Sequence, residues 1–189
     1  MSHEIRESVI EAAIDEMNAH GMRFTMDDVA RRLRVGKATL YKQVGSKDNL
    51  IHGIFEYLMK GLDKELDAIN LSEASAYEKV CAYNTAYTAW LGKLGSGVLE
   101  ELSISQPSEI KRWNEFCAEK VRGGMAILRQ GMEQGELRET NLKLVQQSII
   151  LLFGAIMEHD FLRDINMTHS DALRGITDLL FNGIRKRDA

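Results

Sequence analysis

Residues 25–47 read TMDDVARRLRVGKATLYKQVGSK, and this stretch decides the fold that the sequence predicts. Thr25 is a good N-cap for a helix over about residues 26–33, and Asp28 completes a capping box three positions later. Val35 follows in a short turn, where we expect its side chain to fill the angle between this helix and the next. The stretch therefore predicts a capped helix that leads directly into a tight turn.

A second short helix is predicted immediately after this turn. Gly36 is an acceptable N-cap, and a helix over about residues 37–43 would direct Leu40 and Val44 inward while its other side chains stay exposed. Two helices joined by a turn of three or four residues, the second of them small and basic, are typical of the helix-turn-helix motif that lies on DNA.

Positive charge is concentrated in the same stretch. Residues 23–47 contain seven Lys or Arg against two Asp, a net charge of +5, whereas the whole chain carries −4 and the remainder therefore −9. Such a local excess suits the neutralisation of DNA phosphates and the steering of a protein towards DNA. A merely solvated helix face is the alternative interpretation, and the coincidence with the turn pattern disfavours it.

Three runs, DDVARRL, VGKATLY and GSKDNL, begin at Asp27, Val35 and Gly45. They resemble the N-terminal motif of the tetracycline-repressor (TetR) family of bacterial transcription regulators. The chain departs from the common pattern at two positions, because Gly36 stands where Ser is usual and Val44 stands where an aromatic residue is usual. The resemblance implies an operator-binding regulator that works as a homodimer.

The helix geometry and the resemblance together predict which side chains contact DNA. Lys37 and Lys42, with Ala38 between them, are placed to reach base edges, since Lys favours guanine O6 and N7 and the Ala methyl suits that of thymine. A phosphate at the N-terminus of the helix that Ser46 caps would offset the unfavourable position of Lys47 there. The resemblance implies phosphate contacts for five residues: Thr25, Thr39, Tyr41, Gln43 and Lys47. Tyr41 is also a candidate for a base contact.

The remaining apolar periodicities predict an all-α protein with two domains. A helix over residues 4–20, ended by Gly21, completes a three-helix DNA-binding domain over residues 1–49. Residues 50–189 are expected to form a larger helical domain for effector binding and dimerisation. Capping boxes, glycines and Pro107 predict its helices over about residues 46–66, 75–94, 98–104, 107–135 and 141–163, with a last helix after residue 168.

The central helices of this second domain combine apolar, aromatic and polar residues in the mixture that ligand pockets have. Gly123 and Gly124 interrupt one of these helices and predict a kink, a close helix crossing or room for a ligand. A well-packed core is the alternative. The predicted effector-binding residues are Tyr83, Asn84, Tyr87, Thr88, Trp113, Phe116, Met125, Phe153, Met157 and His159. We expect the effector to shift the population towards a form that spreads the two recognition helices.

A dimer interface is predicted on the last two helices. Residues 148–157 are apolar almost all round, so one chain can bury them only if both sides have partners. A symmetric four-helix interface supplies the second partner, and the resemblance implies the same location. The predicted interface residues are Leu152, Ile156, Leu173, Ile176, Leu180 and Ile184.

Several classes of protein are disfavoured. No apolar run reaches the roughly 18 residues of a membrane span, and the acidic N-terminus is unlike a signal peptide, so a cytoplasmic protein is expected. Cys81 and Cys117 have no metal-like spacing. The adjacent carboxylates at 100–101 point about 100° apart on a helix, and His159 with Asp160 lacks further metal ligands. We therefore expect no enzyme activity, no metal and no cofactor.

The leading interpretation is a repressor that binds a palindromic operator as a homodimer and is released by a small, largely apolar or aromatic effector. One alternative is a DNA-binding regulator or activator that needs no ligand. The other is a helical small-molecule carrier or enzyme in which the basic stretch is incidental.

Overall fold

The computed structural model describes residues 2–156, 162 and 164–184, and the regular elements in these residues are all helices. The predicted all-α fold is confirmed. A 3-10 turn over Gly21–Arg23 follows the first helix. The α-helices are α1 (Ser2–His20), α2 (Met26–Leu33), α3 (Lys37–Val44), α4 (Lys47–Leu71), α5 (Ala76–Leu91), α6 (Ser96–Ser105), α7 (Pro107–Glu133), α8 (Leu142–Ile156) and α9 (His169–Ile184).

The chain divides into two compact units, and the first consists of Met1–Gly61 and Lys93–Trp113. Within it α1 packs against α2, α2 packs against α3, and α6 packs against the 3-10 turn. Its core is apolar, and its most deeply buried large side chains include Met17, Phe24, Leu40, Leu50, Ile54, Phe55 and Leu102. The boundary predicted between residues 49 and 50 falls inside α4, which is one continuous helix.

The second compact unit consists of Leu62–Gly92 and Asn114–Ala189. Helix α9 packs against α5 and α8. Gly131 permits a close approach within this unit, because an added Cβ there would lie 2.6 Å from the Cβ of Ala76. Buried residues of α5, α7 and α8 form the core, together with Leu137: Ala76, Val80, Val121, Met125, Ile127, Leu128, Val145 and Ile149.

Several helix ends differ from the prediction because backbone caps were missed. Helix α4 continues to Leu71, five residues further than expected. Helix α5 ends at Leu91, with Gly92 as its C-cap, three residues earlier than expected. Gly95 is the N-cap of α6, which therefore begins at Ser96 instead of Val98. Among the described residues, no helix combines the length and the apolar character that crossing a bilayer requires.

Candidate nucleic-acid interface and helical cavity

The predicted capping box fixes the start of α2. The Thr25 hydroxyl group accepts a hydrogen bond from the Asp28 N–H at 3.2 Å, and the Asp28 carboxylate accepts one from the Thr25 N–H at 2.9 Å. The hydrogen bonds that the Asp28 carboxylate accepts, first from the Thr25 hydroxyl group and then from the Thr25 N–H, hold the pKa of Asp28 below its ordinary value. Because the Thr25 hydroxyl group also donates to this carboxylate, at 2.6 Å, it can donate to a phosphate only by leaving Asp28.

The turn between α2 and α3 is built differently from the prediction. Arg34 ends α2 in the left-handed conformation, with φ of 55° and ψ of 38°. Val35 follows with 40% of its surface exposed, so the expectation that it fills the angle between the helices is wrong. The left-handed backbone of Arg34 ends the helix, and the Val35 N–H bonds back to the Ala30 carbonyl group at 3.0 Å. A non-glycine residue in this conformation is uncommon.

Helix α3 is anchored by one residue and is otherwise open to solvent. Leu40 is fully buried and Val44 is half-buried, as predicted. Gly36 caps the helix through its backbone, since its carbonyl group accepts from the Thr39 N–H at 2.9 Å. Six of the residues predicted to contact DNA are exposed on this helix: Lys37, Ala38, Thr39, Tyr41, Lys42 and Gln43. A single exposed helix therefore carries most of the candidate DNA contacts.

Some of the basic side chains near this helix are already paired. Arg31 bonds to Asp28 at 3.1 Å. Arg32 bonds to Glu16 at 2.7 Å and to Asp15 at 3.1 Å, so it fastens α2 to α1. The positive excess seen in the sequence is thus partly neutralised by acidic residues of the same unit.

Lys37 forms the ion pair that lies closest to the predicted base contacts. Its Nζ atom lies 2.8 Å from Asp27 Oδ1 and 3.0 Å from Oδ2, and 5.9 Å from the centre of the Tyr41 ring. The hydrogen bond and the negative charge of Asp27 raise the pKa of Lys37. Its side chain is nevertheless 59% exposed and remains accessible to DNA.

Lys47 has a structural role that the sequence did not indicate. Its ammonium group donates to the carbonyl oxygens of Met22 and Phe24, each at 2.6 Å, and lies 4.1 Å from the centre of the Phe24 ring. Burial lowers the pKa of Lys47. These contacts tie the start of α4 to the segment between α1 and α2. A phosphate contact by Lys47 stays a prediction, since two of its three N–H donors are used in this conformation.

Two further exposed basic residues were not among the predicted DNA contacts. In the part of the chain that the structure describes, Arg23 and Arg34 are exposed and have no ion-pair partner. Both had been counted in the local charge. Arg34 differs from the other basic residues of this unit in its left-handed backbone conformation, which no sequence pattern predicted.

The second unit contains an apolar cavity of about 60 Å³. It includes four of the predicted effector residues: Tyr83, Asn84, Tyr87 and Met125. Tyr83 donates a hydrogen bond to Asn70 at 2.8 Å, and burial raises the pKa of both tyrosines. The list of predicted effector-binding residues left out the aliphatic side chains of the wall and Gly124, although room for a ligand had been considered at Gly124. The residues left out are Val80, Val121, Gly124, Ile127, Leu128, Ile149 and Leu180.

Among the other predicted effector residues, the three whose side chains the structure describes do not line this cavity. Trp113 is buried in the first compact unit, and Thr88 and Phe116 are absent from the cavity wall. Met157, His159 and the side chain of Phe153 lie outside the described residues. The two glycines also differ, since an added Cβ at Gly124 would lie 3.2 Å from the Tyr83 ring while Gly123 faces open space. The close-approach interpretation thus applies to Gly124.

One of the predicted dimer-interface residues, Leu173, needs correction. Leu173 is only 2% exposed and packs within its own chain, and Leu180 lines the cavity. Leu152 and Ile176 are half-buried, and the side chains of Ile156 and Ile184 lie outside the described residues. Leu173 is therefore a core residue of its own chain, while an interface role for the other five residues stays a prediction. Among the described side chains of α8 and α9, the exposed large apolar ones are Leu144 (65%), Leu151 (63%) and Leu179 (77%).

The candidate catalytic groupings gain no support. The carboxylate of Glu101 accepts the N–H of Met22, which places it in a backbone contact. His159 and Asp160 lie outside the described residues. No group of three or more His, Cys, Asp or Glu side chains in the described ranges could hold a metal ion.

Comparisons with known proteins agree with the geometry of the N-terminal helices. Residues 9–54, which include all the predicted DNA contacts, match the model of the family "Bacterial regulatory proteins, tetR family". The chain is 27% identical over 165 residues, 87% of each protein, to an uncharacterised HTH-type transcriptional regulator, YvaF, of Bacillus subtilis.

Solved structures show the same fold. A transcriptional regulator from Cytophaga hutchinsonii has a TM-score of 0.70 and 17% identity, with 95% of this chain and 98% of that chain covered. The TetR family transcriptional regulator PfmR from Thermus thermophilus has a TM-score of 0.63 and 20% identity, with 94% and 99% covered. The exposed recognition helix, the capped helix before it and these matches lead to one conclusion: residues 9–54 match the DNA-binding domain of the TetR family of bacterial regulatory proteins, and the chain is a DNA-binding transcriptional regulator.

Proposed function

We propose that this regulator is a repressor that binds a palindromic operator as a homodimer and is released by a small, largely apolar or aromatic effector. The observation that carries the DNA-binding part is helix α3, which buries Leu40 and exposes six polar, basic or small residues. A helix of this size and charge fits the major groove of B-DNA. Lys37 and Lys42 would read base edges there.

A homodimer follows from the need to cover exposed apolar side chains. Leu144 and Leu151 lie seven residues apart on α8 and therefore on one face, and Leu179 is more exposed still on α9. Covering them with a second copy would remove apolar surface from water, which favours association. Two copies would also present two recognition helices to half-sites about 34–36 Å apart, or a multiple of this distance.

An effector is supported by the lining of the cavity in the second unit. Aliphatic walls with the polar groups of Tyr83, Asn84 and Tyr87 suit a guest with an apolar body and a few hydrogen-bonding atoms. The present volume of about 60 Å³ is well below the roughly 300–1,000 Å³ of ordinary ligand pockets. The effector would therefore bind a more open conformation. It would shift the population towards a form whose recognition helices no longer match the half-site spacing.

The test begins with selection of bound duplexes from a random pool by the full-length protein. We expect a near-palindrome, bound by one or two dimers in sedimentation. Fatty acids, steroids and planar aromatic compounds are then added to the complex, with Trp fluorescence and operator affinity measured together. A compound that changes both supports the proposal, and selection that yields no palindrome contradicts it.

A regulator that needs no ligand is the second candidate, and the small volume of the cavity favours it. The same screen separates the two candidates, because this regulator would show operator binding that no apolar compound alters. Saturating operator DNA supplies a further check. If effector and operator are coupled, DNA must weaken effector binding by the same factor by which the effector weakens DNA binding.

A further inference from the structure

Asp27 lies in the first turn of α2, where a negative charge is favourable, but no hydrogen bond in the described part of the chain fixes its side chain within that helix. Helix α2 is capped by Thr25 and Asp28, so Asp27 is not needed for the cap. Its one recorded partner is Lys37, which both of its carboxylate oxygens contact at 2.8 and 3.0 Å. Asp15 offers a comparison on α1. Its partner Arg32 also pairs with Glu16, so Arg32 stays paired when the carboxylate of Asp15 is removed.

A lysine can donate to a guanine edge or to a phosphate. Its ammonium group is a strongly hydrated point charge on a flexible stem, and it binds a phosphate as readily as a guanine edge. A carboxylate that stays bound to the ammonium group changes this in two ways. It orients the remaining N–H donors of the ammonium group. It also cancels the positive charge that would attract a phosphate.

We propose that Asp27 is a specificity-determining positioning residue, which stays on Lys37 in the DNA complex, directs its free N–H donor at a base edge and prevents it from neutralising a phosphate. The proposal rests on the assignment of Lys37 to base reading. It differs from simple competition in the free protein, where Asp27 would weaken operator binding and random binding by about the same factor and leave their ratio unchanged.

The experiment compares Asp27→Asn with the matched variant Asp15→Asn, which removes the same charge from an exposed ion pair on α1. Affinities for the selected operator and for a scrambled 30-base-pair duplex are measured between about 50 and 200 mM salt. We expect Asp27→Asn to bind the scrambled duplex about three-fold more tightly, with a salt slope steeper by about 0.9, because Lys37 becomes free to neutralise one phosphate. Operator affinity should stay equal or fall. Asp15→Asn should change both affinities by one common, smaller factor.

A second comparison asks whether Asp27 acts through Lys37. In a Lys37→Ala background, Asp27→Asn should have no larger effect than Asp15→Asn. Asp27→Glu, which retains the charge, should restore part of the specificity ratio. Far-UV circular dichroism and thermal unfolding verify that each variant is folded.

The proposal is overturned if Asp27→Asn raises both affinities equally, or if its effect persists without Lys37. These results do not depend on whether the protein is a repressor. If no operator can be selected, the proposed function fails. The salt slope on the scrambled duplex then still decides whether Asp27 neutralises Lys37.

Discussion

At the scale of single residues, we expect Lys42 and Arg34 to contact DNA in different ways, Lys42 at a base edge and Arg34 at a phosphate. Both are exposed and have no ion-pair partner among the described residues, but Lys42 lies on the exposed face of α3 and Arg34 lies in the turn before it. Lys42→Ala should cost about 1–3 kcal/mol on the selected operator and relax the preference at one base pair of each half-site. Arg34→Gly should weaken every sequence by about the same factor and reduce the salt slope by about 0.9.

Because Arg34 has a left-handed backbone, its replacement by glycine also affects folding. The stability of Arg34→Gly is therefore the control for this comparison. Glycine adopts a φ of 55° without strain but loses more freedom on folding, so the two effects oppose each other. Unfolding in urea should therefore show a change of less than about 1 kcal/mol for Arg34→Gly. Identical base preferences in the two variants would contradict the proposed division between base reading and phosphate contact.

We expect Lys47 to stabilise the fold, independently of any contact that it makes with DNA. Lys47→Met retains the aliphatic stem but removes the donors to the Met22 and Phe24 carbonyl groups. We expect the free energy of unfolding to fall by about 1–2 kcal/mol, measured in urea. Affinity at a temperature where the variant is fully folded then isolates any phosphate contact. Unchanged stability would show that these two hydrogen bonds contribute little.

The same residues show how far the sequence could be interpreted. The capping box, the buried Leu40 and the exposed face of α3 were predictable, because they depend on residues within a few positions of one another. The position of Lys47 was not, since its partners lie 23 and 25 residues away and the burial of its ammonium group depends on tertiary packing. The ion pair of Asp27 with Lys37 crosses a turn whose left-handed residue no pattern indicated.

At the scale of helices, the start of α2 should respond to pH through its capping box. The pKa of Asp28 in the folded protein lies below its ordinary value of 3.8, so its stabilising effect is complete above that value and lost as pH falls through the folded pKa. Thr25→Ala should lower the melting temperature by about 2–4 °C at pH 7. This deficit should shrink below pH 3.8 as the carboxylate is protonated. A deficit that stays constant down to pH 3 would show that Asp28 does not depend on Thr25.

The two adjacent glycines of α7 allow a matched test of the cavity. Both variants gain helix propensity, so Gly123→Ala, whose methyl group faces open space, should raise the free energy of unfolding by about 1 kcal/mol without affecting ligand binding. Gly124→Ala should displace the Tyr83 ring, which an added Cβ would approach to 3.2 Å. We expect apolar compounds to bind this variant at least ten-fold more weakly, as measured by Trp fluorescence titration. Equal affinities for the two variants would place the effector outside this cavity.

At the scale of the whole molecule, helix positions and fold class were predictable because the apolar periodicity of α4, α5 and α7 is local. The outward faces were harder to predict. Leu173 and Leu180 follow the same helical spacing as an interface stripe, and only the packing of α9 against α5 and α8 shows that Leu173 is buried within the chain. Periodicity identifies one apolar face of a helix. It does not show whether the same chain or a second copy covers that face.

The exposed leucines of α8 supply the test of assembly. Leu151 is 63% exposed, and a Glu at this position would bury an unpaired carboxylate if a second copy covers this face. Leu151→Glu should raise the dimer dissociation constant at least about 100-fold, which corresponds to roughly 2.7 kcal/mol, as measured by sedimentation. The control is Leu71→Glu at the end of α4, where the leucine is 84% exposed and the same substitution should leave the dimer intact.

Because each protomer keeps its own recognition helix, Leu151→Glu should bind a duplex with a single half-site as tightly as the parent protein does. Its affinity for the full palindrome should fall towards that value. A Leu151→Glu protein that remains dimeric would place the interface on another surface.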